Sequence, residues 1–65
     1  MVTVIDISNK ELDGSAVFEF RGKSSDIKPV VSYGNYNIGN GSTFFEMDTS
    51  KLFMFDEEQQ AWEEV

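Results

Sequence analysis

At 65 residues, with neither cysteine nor histidine, the chain has room for one domain, 1–65. Disulfides and thiolate metal sites are excluded, and so are the side chains that most often ligate transition metals or move protons near neutrality. Five basic residues against twelve acidic ones give a net charge of −7, which repels phosphate and anionic lipid, so neither direct nucleic-acid binding nor membrane binding is expected.

Basic protein patches and cations are the attractive partners for such a surface. No apolar run approaches the ~20 residues that a membrane-spanning helix needs. The first residues lack the basic start and apolar core of a secretion signal, so synthesis in the cytoplasm is the default expectation. A chain this short buries only about 60% of the surface its unfolded form exposes. Small domains gain margin from disulfides, metals or association, and only association is open here.

In chain order, Val2-Thr3-Val4-Ile5 is β-branched and predicts a first strand. Ser8-Asn9-Lys10-Glu11 has the Ser-x-x-Glu spacing of a capping box, with room for one helical turn before Gly14; a plain turn between strands is the alternative. Ala16–Arg21 predicts the second strand, with Ala16, Phe18 and Phe20 facing the core and Val17, Glu19 and Arg21 facing away. Segment 22–41 holds four of the five glycines and the only proline, so it is expected to be mostly loop, with Val30-Val31 pairing briefly at an edge. Residues 42–65 predict a meander: a strand over 43–48, a turn at Thr49-Ser50, a return strand over 51–55, a polar connection over 56–60, and a last strand carrying Trp62. The return strand is apolar on both faces, which suits a central strand or an interface. The fold class expected is all-β, a small meander or barrel-like sheet of about four to five strands with at most one short helical turn.

Motifs that carry chemistry are weak. Asp48-Thr49-Ser50 resembles the aspartic-protease triplet, but that chemistry needs two carboxylates sharing a proton in a covered cleft, and hairpin-turn chemistry explains the same residues. Gly39-Asn40-Gly41-Ser42-Thr43 lacks the Gly-Lys-Ser/Thr ending of a phosphate loop and reads as a tight turn. The acids Asp56, Glu57, Glu58, Glu63 and Glu64 lack the alternation and central glycine of a calcium loop. No catalytic residue, metal site or cofactor is therefore expected, and the chain is not expected to be an enzyme.

The aromatics carry the remaining signal. Six Phe, two Tyr and one Trp are many for so small an interior. Phe18, Phe20, Phe45, Met47, Leu52 and Met54 are expected to fill the core. Phe53, Phe55 and Trp62, with Phe44 beside them, are the expected protein-binding anchors, rimmed by Glu57, Glu58, Glu63 and Glu64.

The stretch Gly41-Ser42-Thr43-Phe44-Phe45-Glu46-Met47-Asp48-Thr49-Ser50-Lys51-Leu52-Phe53-Met54-Phe55-Asp56, followed by Trp62, resembles a segment of small virion-associated proteins from phages and prophages of Gram-positive bacteria. Leu12-Asp13-Gly14-Ser15 and Ser24-Ser25-Asp26-Ile27-Lys28-Pro29 are similar to such proteins too, so the likeness spans most of the chain. The family pattern often has Thr at the positions of Ser25 and Ile27, and Gly at Ser50. A non-glycine at Ser50 favours a plain type I turn over a left-handed residue. The resemblance implies a structural or accessory protein of the virion, made in the host cytoplasm: capsid decoration, head-fibre base or tail accessory. Its partners would be other capsid or tail proteins, through a homo-oligomer or by docking on a larger assembly. The alternative is a small acidic inhibitor that mimics nucleic acid and binds a host protein.

Overall fold

Alternating and β-branched runs become strands over about half of the chain. The computed structural model describes residues 1–65 and contains β1 (Thr3–Ser8), β2 (Ser15–Gly22), β3 (Ser32–Tyr33), β4 (Tyr36–Ile38), β5 (Thr43–Glu46), β6 (Lys51–Asp56) and β7 (Ala61–Glu64), with no helix. The all-β expectation holds, with seven strands in place of four or five. The Ser8–Glu11 stretch forms no helical turn: Ser8 ends β1, and the turn falls at Leu12–Asp13, where Gly14 N–H donates to the Glu11 carbonyl at 3.1 Å. Asn9 and Gly14 adopt left-handed φ of 49° and 90°, and the Asp13 carboxylate accepts the Ser15 N–H and hydroxyl at 3.0 and 2.8 Å.

The strand β2 organises the sheet. Along one edge it pairs antiparallel with β1, with a register break between Val4 and Asp6. Along the other it pairs in parallel with two strands placed end to end, β4 at Ser15–Ala16 and β5 at Glu19–Gly22. Between those partners the chain steps away from β2 over Gly39–Ser42. Gly39 N–H donates to the Ala16 carbonyl at 2.8 Å, and a Cβ at Gly39 would lie 3.1 Å from that oxygen, a tight contact that would make the backbone give by a few tenths of an ångström. Ser42 fills the step. Its Oγ accepts the Phe18 N–H at 3.0 Å and donates to the Gly39 carbonyl at 2.8 Å.

A parallel pair needs a crossover. Residues 23–35 supply it, and they cover the inner face of the sheet. Tyr33 lies edge-on to Phe18 and Phe20, the Lys28 Nζ sits 4.9 and 4.6 Å from the ring centres of Phe44 and Phe53, and Trp62 Nε1–H donates to the Pro29 carbonyl at 2.7 Å. The region expected to be mostly loop thus carries β3 and β4, and Val31 pairs through its carbonyl with Ile38 N–H at 3.0 Å.

The core is Ala16, Phe18, Phe20, Ile38, Phe44 and Phe55, with Val2, Val4, Tyr36, Phe53 and Trp62 packed on it. Three inter-strand steps separate β7 from β2, about 14 Å in a flat sheet. The Phe20 and Trp62 ring centres are nonetheless 6.0 Å apart. The sheet therefore curls toward its inner face, barrel-like but open, since β1 and β7 do not pair.

Both C-terminal hairpins close with four residues, 47–50 between Glu46↔Lys51 and 57–60 between Asp56↔Ala61. Each ends on a left-handed non-glycine residue, Ser50 at φ 61° and Gln60 at φ 50°. This corrects the plain type I turn expected at Ser50. Ser50 N–H reaches back to the Glu46 carbonyl at 2.8 Å, and positive φ at this last loop position turns the chain into the return strand.

Candidate docking surface

The inner-facing parity of β5 and β6 follows from the rung Phe20↔Phe44↔Phe53. Side chains alternate, so Phe44, Phe53 and Phe55 point inward with Trp62, which stands opposite Phe55. This reverses the expected division of labour. Phe44 and Phe55 are buried, and Phe53 and Trp62 are half-buried against the core, so none of the four forms an exposed anchor. The residues expected inside are the ones left outside: Phe45, Met47, Leu52 and Met54 are 36%, 51%, 39% and 45% exposed. A one-residue change in which parity faces inward moves every side chain of a strand to the other face.

Two cross-strand rows build the outer face. Arg21, Phe45 and Leu52 form one row across β2, β5 and β6, and Val65 extends it by donating its N–H to the Leu52 carbonyl at 2.9 Å. Glu19, Thr43, Met54 and Glu63 form the other across β2, β5, β6 and β7. A shallow trough of about 380 Å³ runs along the face between Glu19, Arg21, Thr43, Phe45, Met47 and Leu52. The crossover lies on the opposite side, so no part of the chain covers these side chains.

The four expected rim acids are dispersed. Glu63 flanks Met54 on the outer face. Glu64 has the opposite parity, 4.0 Å from the Lys51 ammonium. Glu57 and Glu58 sit in the β6–β7 connection, where Glu57 N–H donates to the Asn40 side-chain oxygen and Glu58 N–H to Asp56. No group of three or more acids comes together in a way that could hold a metal ion. Sequence reading missed Glu19, Arg21, Phe45, Met47, Leu52 and Met54 as a shared surface. The pairing of Phe20 with Phe44 is the signal that identifies it, and that contact is visible only in three dimensions.

Carboxylates on the inner side tie the crossover down. Glu46, buried, accepts the Lys28 ammonium at 2.6 Å and the Thr49 hydroxyl at 2.7 Å; these bonds, Lys28 foremost, hold its carboxyl below the ordinary range. Asp48 is lowered by the Ser24 hydroxyl and then its N–H, Asp26 by the Lys23 N–H and then the terminal ammonium, and Asp13 by the Ser15 hydroxyl and N–H. Each lowered group adds stability that is complete above its unfolded value, near 3.8 for Asp and 4.5 for Glu, and is lost as pH falls through the folded value. The melting temperature is therefore expected to be level from neutrality to about pH 5 and to fall below that. Glu46→Gln should flatten the acid limb in circular-dichroism melts; an unchanged acid limb in that variant would rule out Glu46 as a contributor.

Comparison with family models, with curated proteins and with solved structures finds no match to this chain.

Proposed function

We propose that this domain is a docking module of a phage or prophage particle, a capsid-decoration, head-fibre or tail accessory protein that acts by protein–protein contact without catalysis. The observation that carries the docking reading is the uncovered outer face, where Phe45, Leu52 and Met54 stand in adjoining rows and Met47 joins them along the trough. Clustered large apolar side chains on a sheet face mark contact with another protein. The resemblance to small virion-associated proteins supports the particle setting. The acidic-mimic reading asks for carboxylates along one extended surface, whereas Glu57, Glu58, Glu63 and Glu64 occupy three separate places.

The test is density-gradient purification of particles from an induced lysogen carrying this gene. The chain should band with particles, and Leu52→Lys should cut the banded fraction roughly tenfold, the equivalent of ~1.4 kcal/mol of lost apolar contact. A chain that stays wholly in the particle-free fraction refutes the particle assignment.

A further inference from the structure

Resting on that docking reading, we infer that the occupant of the outer face is a basic protein segment whose apolar side chains are flanked by Lys or Arg. Charge placement distinguishes it from a second copy of this chain. The row through Met54 ends in a carboxylate on each side, Glu19 on β2 and Glu63 on β7. Asp6 stands beside Glu19 on β1, and the one cation of the face, Arg21, lies 3.8 Å from Glu19. The fixed charges around the apolar centre are thus three negative and one positive. A second copy would bring the same negative face and a further net charge of −7. A basic partner gains from both.

Spacing adds to the match. Glu19 and Glu63 are three inter-strand steps apart, about 14 Å measured along the curved sheet, and an extended segment places residues i and i+4 about 13–14 Å apart on one face. Lys or Arg at i and i+4, with Leu or Met at i+2, would set two cations over the carboxylates and an apolar tip over Thr43 and Met54. Methionine thioethers suit such a surface, because Met47 and Met54 can re-form around different apolar tips.

The probe is the peptide Lys-Thr-Leu-Thr-Lys-Thr-Leu-Thr-Lys, with its charge-reversed Glu counterpart as control, titrated into the labelled full chain and followed by NMR. The lysine peptide should shift the Leu52 and Met54 methyl resonances and the Phe45 ring. Its affinity should fall at least about fivefold between low salt and 0.3 M salt, and by a similar factor in Glu19→Gln/Glu63→Gln. Equal binding of the two peptides, shifts confined to other surfaces, or no shifts overturns the inference. Sedimentation supplies the rival outcome: dimerisation that strengthens with salt and is lost in Leu52→Lys means that a second copy covers the face, which also overturns it. If particle association depends on Leu52 while Glu19→Gln/Glu63→Gln leaves it unchanged, the docking reading survives and the basic partner does not.

Discussion

Phe20→Ala is expected to leave the chain largely unfolded at room temperature. Phe20 is fully buried and stacks on Phe18 with ring centres 5.0 Å apart, meeting Tyr33 at 5.3 Å, Trp62 at 6.0 Å and Phe44 at 6.2 Å. It therefore joins β2, the crossover, β5 and β7 in one contact set. A buried Phe→Ala change costs ~3–5 kcal/mol. A domain of 65 residues has about 3–10 kcal/mol in all. Trp62 fluorescence and far-ultraviolet circular dichroism would follow the loss, and Phe20→Leu should retain a weaker cooperative transition. An alanine variant that melts cooperatively near the wild-type temperature would show that the inner face is held by something other than this ring.

Ser42→Ala is expected to destabilise out of proportion to the single oxygen removed. Ser42 is fully buried, and its hydroxyl satisfies the Phe18 N–H where the chain steps away from β2. The Gly39 carbonyl would keep only the longer bond from Ser42 N–H at 3.3 Å. Stranding the buried Phe18 N–H costs about 1–3 kcal/mol. In a domain of this size that lowers the melting temperature by on the order of 5–20 °C. Hydrogen exchange at the Phe18 amide should accelerate in the variant more than at the Phe20 amide. Equal protection of the two amides would mean that water or a backbone shift has replaced the hydroxyl.

The division of faces was legible in β2 and illegible in β5 and β6, and the difference has a physical cause. In β2, Glu19 and Arg21 share one parity and mark it as solvent-facing, which leaves Ala16, Phe18 and Phe20 for the core. In β5, the charged residue Glu46 shares a parity with Phe44, so local reasoning sends both outward. Glu46 is in fact buried, because Lys28 arrives from the crossover, eighteen residues away in sequence, to pair with it. Lys51 misleads in the same way in β6: it shares a parity with Phe53 and Phe55, but lies at the strand end where its ammonium reaches the exposed Glu64. The C-terminal meander was readable because its closures are local. The parallel pairing of β2 with β4 and β5 was not, since it joins segments more than twenty residues apart.

That long-range pairing also bears on synthesis. Once β2 has left the ribosome it can pair with β1 at once, but its second edge must wait until residues 36–46 have been made. During that interval Ala-Val-Phe-Glu-Phe at Ala16–Phe20 is a nascent strand with one open edge and an uncovered aromatic face, the kind of segment on which chains stick to one another. The early hairpin with β1 closes only one edge of that strand and leaves its aromatic face bare. Translation pauses placed between codons 22 and 46 are therefore expected to lower soluble yield more than pauses placed after codon 46.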